Sequence, residues 1–291
     1  MTDAPTDATA EPSPAEPAAV PLVPADKPES WWATLRFFLI LFVLALLLRT
    51  LIAAPFSIPS GSMIPRLLIG DYLFVSKWSY GYSRYSVPFG LLGFDGRILG
   101  GLPERGDVVV FRHPVDGNDL VKRVIGLPGD TIELRRGEVI LNGRPLPRQR
   151  IADFAMPVSP NSPCKGHEGG VRETPGDDGT PLCLYPRFRE TLPDGRSYEV
   201  LDQITNWDGD TFGPVRVPEG RVFVMGDNRD DSLDSRFDPA DPDPRNRGVG
   251  LVPVDNLIGK VMVTFWSTDG SAAWLKPWTW FSAARWGRIG G

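Results

Sequence analysis

Residues 37–48 form an unbroken apolar run, and that run limits what the rest of the chain can be. Apolar residues continue past Arg49 as Leu51, Ile52, Ala53 and Ala54, so residues 31–54 reach the roughly 20 apolar residues that a membrane helix needs. Trp31 and Trp32 suit one membrane interface, and Arg36 and Arg49 can extend their charged ends toward opposite sides. A cleavable leader fits poorly, because a long acidic stretch precedes the run and Pro55 follows the Ala pair where a cut would fall. A buried core helix is the other alternative. The reading is a retained single-span anchor over residues 31–54. Lys27 and Arg36 before it, against Arg49 and Arg66 after it, leave orientation undecided by the positive-inside rule.

Residues 1–30 are rich in Ala and Pro and carry six acidic side chains against Lys27. With nothing to bury, this tail is expected to be disordered. The whole chain has 291 residues and a formal net charge of −5. It shows no basic patch, which argues against a nucleic-acid partner. Cys164 and Cys183 are the only cysteines. With His167 they offer three metal ligands and no fourth, so neither a metal nor a cofactor is expected.

Beyond the anchor the signals are those of strands. Residues 71–77, 106–112, 120–125, 221–225 and 257–266 are short runs rich in β-formers. Residues 131–134 and 138–141 flank Arg135-Arg136-Gly137, and residues 187–201 surround Pro193-Asp194-Gly195; both patterns predict hairpins. Residues 81–101 read as a Gly-rich apolar loop or hairpin, and residues 151–186 as loop-like and polar. Residues 271–291 mix Trp274, Trp278, Trp280, Phe281 and Trp286 with Lys276, Arg285 and Arg288, a pattern that suits a membrane interface, with burial of single tryptophans as the alternative.

Three stretches carry candidate chemistry. The first, Ile58-Pro59-Ser60-Gly61-Ser62-Met63-Ile64-Pro65, is a stiffened turn that can hold a hydroxyl and backbone N–H groups at a fixed point. The second is strand 120–125, where Leu120, Lys122 and Val124 share one face. A lysine between apolar neighbours is a candidate for burial, which lowers its pKa and lets it accept a serine proton; the alternative is a packed stem with its ammonium in water. His113 and His167 are rival bases, His113 through a Ser-His-Asp arrangement. The third stretch is Gly226-Asp227-Asn228-Arg229-Asp230-Asp231-Ser232-Leu233-Asp234-Ser235-Arg236. It fails as a calcium loop, since Arg229 and Ser232 fall where an oxygen ligand and a glycine are required. It reads either as a solvated acidic loop or as a loop braced by a buried Asp234–Arg236 pair, with Ser232 free to orient the lysine amine.

Together, Ser60-Gly61-Ser62-Met63-Ile64-Pro65, Lys122-Arg123-Val124-Ile125-Gly126-Leu127-Pro128-Gly129-Asp130 and the 226–236 loop resemble the signature segments of bacterial type I signal peptidases, in that family's order and after a membrane anchor. The resemblance implies a mostly β fold: a coiled antiparallel β-sheet catalytic core with an inserted β-rich cap, preceded by one transmembrane helix. It divides the chain into a tail (1–30), an anchor (31–54), two core segments (55–130 and 219–270) around a cap (131–218), and a membrane-proximal end (271–291). It implies Ser62 as nucleophile and Lys122 as general base. The Ser60 hydroxyl and the Ser62 N–H would form the oxyanion hole. Ser232 would position the lysine, Asp234 and Arg236 would support the site together with Asp227, and Ile64 would line a substrate pocket.

The implied reaction removes N-terminal signal peptides from exported preproteins, after small residues at −1 and −3. The implied partners are those signal peptides and the phospholipid membrane, with a monomer expected. The implied place is the bacterial cytoplasmic membrane, with the tail cytoplasmic and the body outside. Cys164 and Cys183 would then meet oxidising conditions and could pair. The short tether agrees with this: residues 55–61 span at most about 25 Å when extended, which keeps Ser62 near the membrane surface. Two other readings stay open, a related Ser–Lys processing peptidase with one dedicated substrate and a non-catalytic anchored β-domain that binds envelope proteins.

Overall fold

A computed structural model describes residues 31–86, 96–167, 170–273 and 275–291, without the side chains of residues 48, 50 and 51. The tail expected at residues 1–30 and the middle of the 81–101 segment lie outside these residues. The chain divides into two compact units, Met1–Val43 and Leu44–Gly291. Helix α1 (Trp31–Leu51) begins in the first, where its described side chains are all exposed. Among the described residues no helix is long and apolar enough to cross a membrane. The helix is also shorter than the expected 31–54 segment. Ala53 and Ala54 belong instead to strand β1 (Ala53–Ser57), because Pro55 disfavours helical geometry in the residue before it and itself lacks an N–H.

Strand β2 (Asp71–Ser76) shows why these short runs fold as strands. Asp71, Leu73 and Val75 are buried while Tyr72 and Phe74 are exposed, the period-two pattern of a sheet with one wet face. The two-residue strands β3 (Tyr82–Ser83) and β4 (Arg97–Ile98) pair antiparallel at the base of the 81–101 segment. Then follow β5 (Val108–Arg112) and β6 (Asp119–Gly126), β7 (Thr131–Arg135), β8 (Glu138–Leu141) and β9 (Arg144–Pro145). Next come β10 (Arg148–Pro157), β11 (Arg172–Pro175), β12 (Pro181–Thr191), β13 (Ser197–Leu201) and β14 (Phe212–Arg216). The chain closes with β15 (Arg221–Met225), β16 (Val252–Pro253), β17 (Leu257–Ser267) and the short helix α2 (Trp278–Ser282).

One antiparallel sheet carries the site, in the order β1-β2-β17-β5-β6-β15-β16. The register of β17 shifts at three places against its neighbours, and such bulges increase local twist and curl the sheet. At Gly259 on β17 a side chain would lie 2.2 Å from the Ser76 carbonyl oxygen, so only glycine lets β17 approach β2 this closely. Both predicted hairpins form, β7 with β8 and β12 with β13. In the first, Arg136 (φ 50°) and Gly137 (φ 77°) occupy the left-handed region that a tight hairpin turn requires.

Residues 131–216 build two smaller sheets, β14-β7-β8-β9 and β10-β12-β11 with β13 also on β12. The expected loop over 151–186 instead holds most of β10, all of β11 and the first half of β12. Its alternation is weak because only Met156 of β10 is buried, and main-chain pairing with β12 holds the strand where an apolar stripe does not. Cys164 and Cys183 are joined by a disulfide, with Cα atoms 5.4 Å apart, which removes both as metal-ligand candidates. Ile132, Leu134 and Val139 pack with Ile125, Phe223 and Met225 of the main sheet, so the first small sheet shares a core with it. Near the end of the chain, Trp278, Trp280, Phe281 and Trp286 are exposed. Arg285 and Arg288 are not: they turn inward to the buried carboxylate of Asp71.

Candidate active site

Residues 59–70 leave the sheet after β1 and return to it at β2. The Ile58 amide donates to the Asp71 carbonyl (2.9 Å) and the Gly70 amide to the Ile58 carbonyl (3.0 Å), closing the excursion at its base. Inside it, the Leu67 amide donates to the Met63 carbonyl at 2.8 Å, one helical turn. That turn explains the spacing of its apolar residues. Met63 and Leu67 enter one core cluster while Ile64 and Leu68 enter another, each pair four residues apart on one helical face. Ile64, expected in a substrate pocket, is thus 6% exposed and packed against Leu68, Met156, Cys183, Tyr185 and Leu201.

The turn brings Ser62 to Lys122 on β6. Lys122 Nζ donates to Ser62 Oγ at 2.6 Å across 60 residues of sequence. Lys122 is 4% exposed and Ser62 8%. Of the two readings of Lys122, burial is the one found. From Lys122 onward β6 is buried on both faces. Burial lowers the lysine to about 8, against the upward pull of Asp234, Asp231 and Asp227. Ser60 Oγ lies 3.5 Å from Ser62 Oγ, at the outer limit of a hydrogen bond.

The 226–236 loop is braced and not a solvated acidic loop. Asp234 is fully buried. It accepts bonds from Arg236 Nε (2.8 Å), Arg236 Nη2 (2.9 Å), the Gly226 amide (2.9 Å) and Ser232 Oγ (2.8 Å). Burial alone would raise its pKa, but the Arg236 guanidinium and these bonds hold it below the usual carboxylate range. The Ser232 hydroxyl goes to Asp234; among the described residues Lys122 Nζ bonds only Ser62. Asp227 makes a bidentate pair with Arg123 (2.7 and 2.6 Å), on the opposite face of β6 from Lys122. Gly226 is held close to the site: a side chain there would fall 2.3 Å from Ser232 Oγ and 2.5 Å from the Ser62 carbonyl oxygen.

Two further residues matter that motif reading did not single out. The Asn228 amide donates to the Ser62 carbonyl at 3.0 Å and its Nδ2 to the Gly61 carbonyl at 3.2 Å, tying the acidic loop to the serine turn. Arg123 is the partner of Asp227. Asn228 lies inside the motif, but only a contact map links it to a turn 167 residues away. His113 is excluded as the base by its bonding. Its Nδ1 accepts the Val115 and Asp116 amides (3.1 and 3.0 Å) and its Nε2 donates to the Gly248 carbonyl (3.0 Å), so both ring nitrogens serve the backbone.

Ser60, Ser62 and Lys122 lie where two clefts meet. One, of about 380 Å³, is walled by Phe56, Ile58, Met63, Val110, Leu120 and Val121. The other, of about 880 Å³, is polar, with Asp208, Asp231, Arg236 and Asn246 among its walls. Ile64 lines neither. A serine hydroxyl beside a buried amine of lowered pKa, with a second hydroxyl next to it where two clefts meet, can perform acyl transfer on a peptide.

Comparison with known proteins points to one family. The family model described as signal peptidase, peptidase S26 matches residues 31–266. Signal peptidase I of Rickettsia typhi is 36% identical over 261 residues, covering 83% of this chain and 86% of the relative. That of Rickettsia akari is 36% identical over 270 residues, covering 86% and 88%. A crystal structure of a signal peptidase I from Enterococcus faecalis is 23% identical, covers 56% of this chain and 98% of its own, and has a TM-score of 0.26, too low to argue from. By the extent of the family match and the identity to these relatives, the chain belongs to the signal peptidase family, peptidase S26, and is a serine endopeptidase of the hydrolase class.

Proposed function

We propose that this enzyme removes N-terminal signal peptides from exported preproteins with Ser62 as nucleophile and Lys122 as general base. The supporting observation is the 2.6 Å contact between Lys122 Nζ and Ser62 Oγ at a buried position. When the amine is neutral, its lone pair takes the hydroxyl proton as Oγ attacks the carbonyl carbon of the residue at −1. The carbonyl oxygen becomes an oxyanion, which the Ser60 hydroxyl and the Ser62 N–H stabilise. Lys122 passes the proton to the departing amine of the mature protein, and an ester to Ser62 remains. Water then attacks that ester, again giving a proton to Lys122, and Ser62 is regenerated as the signal peptide leaves. Asp234, Arg236 and Ser232 brace the 226–236 loop, which Asn228 ties to the serine turn, and Asp227 holds the opposite face of β6 through Arg123. Ser60→Ala is expected to fold and to lower kcat by about 10²–10³-fold with little change in KM, read in steady-state cleavage of a preprotein.

The apolar cleft walled by Ile58, Met63, Leu120 and Val121 is the proposed seat of the small residues at −1 and −3. The core is read as residues 55–130 and 219–270, and the cap as residues 131–218. The apolar run 37–48 anchors the enzyme in the cytoplasmic membrane, with the tail inside and the body outside, where exported signal peptides are cut. The test uses the full chain. In detergent it should cut a preprotein with Ala at −1 and fail on the same preprotein with Phe at −1. In intact spheroplasts added protease should remove the body. Equal cutting of both preproteins, or a protected body, would overturn the corresponding part of this reading.

A further inference from the structure

The excursion that carries Ser62 is gripped from two sides. On the catalytic side Asn228 holds the Gly61 and Ser62 carbonyls. On the other side the grip comes from residues 285 and 288. Arg288 Nη2 donates to the Arg66 carbonyl at 2.8 Å and to Asp71 Oδ2 at 2.7 Å, and Arg288 Nε reaches the same oxygen at 3.1 Å. Arg285 Nη2 donates to the Ile69 carbonyl at 2.6 Å and its Nε to Ser267 Oγ at 2.8 Å. Ser267 Oγ in turn donates to Asp71 Oδ1 at 2.6 Å. Asp71 is 0% exposed and also accepts the Leu68 amide at 2.9 Å.

The arginines are themselves fastened. The Arg285 amide donates to the Ser267 carbonyl at 3.0 Å and the Gly290 amide to the Thr264 carbonyl at 2.9 Å, so the segment rides on β17. An ordinary surface ion pair contributes little. This one differs, because its carboxylate is wholly buried and would be uncompensated without the guanidinium groups. The planar guanidinium also reaches a carboxylate and a backbone carbonyl at once, which an ammonium point charge does not reproduce. The carbonyls of Arg66 and Ile69 lie at the far end of the helical turn that Ser62 heads.

We infer that Arg288, seconded by Arg285, is a positioning residue for the reaction: through Asp71 and the Arg66 carbonyl it sets the Ser62 turn against Lys122. This rests on the Ser–Lys reading proposed above. The competing account is that Met63, Ile64, Leu67 and Leu68 hold the turn by burial alone, leaving the arginines only a share of stability. The two accounts part on kinetics. A turn displaced by about 1 Å costs on the order of 10²-fold in rate while the fold survives. Substrate binding changes less than turnover, because, of the cleft's walls, Ile58, Leu120 and Val121 lie on strands or strand ends outside the turn, and Met63 is the one of these four that moves with it.

The experiment compares full-length wild type, Arg288→Gln, Asp71→Asn and the double variant on one preprotein in detergent, with thermal melts alongside. Wild-type turnover, abolished by Ser62→Ala, first establishes the reading on which the inference depends. Arg288→Gln is then expected to lower kcat about 10²-fold with KM changed less than about threefold, in protein still folded at the assay temperature. The double variant is expected to lose clearly less than the product of the two single losses, because Arg288 acts in part through Asp71. Wild-type kcat in folded Arg288→Gln, or losses that multiply in the double variant, would overturn the inference. Should Arg288→Gln fail to fold, Arg288→Lys keeps the charge and loses the fork: a slowed kcat supports the clamp and a wild-type kcat overturns it.

Discussion

Ser62→Ala in purified, folded protein is expected to lower kcat on the order of 10⁶-fold, the scale of loss when a serine nucleophile is removed from a hydrolase. Among the described residues Ser60 Oγ is the one other hydroxyl within hydrogen-bond reach of Ser62 Oγ, at 3.5 Å, and Lys122 Nζ has no bond to it. No described neighbour can therefore take over the attack. The change deletes one oxygen at an 8% exposed position, so the fold should remain and the substrate should still bind. The measurement is single-turnover cleavage of a preprotein, with binding followed separately. Turnover within about tenfold of wild type would remove Ser62 from the mechanism, whatever the family resemblance.

Lys122→Ala is expected to be as severe, because an unassisted serine hydroxyl is a weak nucleophile near neutral pH. Lys122→Arg should not rescue it: a guanidinium stays protonated and cannot accept the proton. His113→Ala should keep most activity, since both nitrogens of that ring bond the backbone. The pH profile follows with a definite sign. The base works only when neutral, and burial lowers Lys122 to about 8. The rate should therefore rise with pH, about tenfold per unit while the amine is mostly charged, and level off above about 8. A rate that falls as pH rises from 6 to 8, or an inactive His113→Ala beside an active Lys122→Ala, would rule out lysine as the base.

The local features of this protein were legible in the sequence because they depend on neighbours along the chain. The β-formers of residues 71–77 predicted a strand, and the strand forms over Asp71–Ser76 with Leu73 and Val75 inside. Arg135-Arg136-Gly137 predicted a hairpin, since its backbone angles are ones that few residues tolerate. Three motifs in order sufficed for the family resemblance. Sequence failed where burial is not periodic. Strand β10 buries only Met156 and so read as loop, although its ladder with β12 is regular on both sides of one bulge. Ala53 and Ala54 read as helix because they are apolar, and pairing with β2 claimed them for the sheet.

Tertiary structure alone decided the distances on which the chemistry turns. Lys122 was a candidate for burial from its apolar neighbours, but a strand says nothing about what covers it. The cover comes from the 59–70 excursion and the 226–236 loop, which meet through Asn228 and the Ser62 carbonyl. The same holds for Arg285 and Arg288. As a pattern beside tryptophans they read as interfacial cations. Folding brings them across 214 and 217 residues to one buried carboxylate, where leaving Asp71 unpaired would cost more than keeping two guanidinium groups out of water. Chain-local preferences set which segments become strands and turns. Which side chains then share a dry, charge-balanced space depends on contacts between segments far apart in sequence, and no spacing along the chain encodes them.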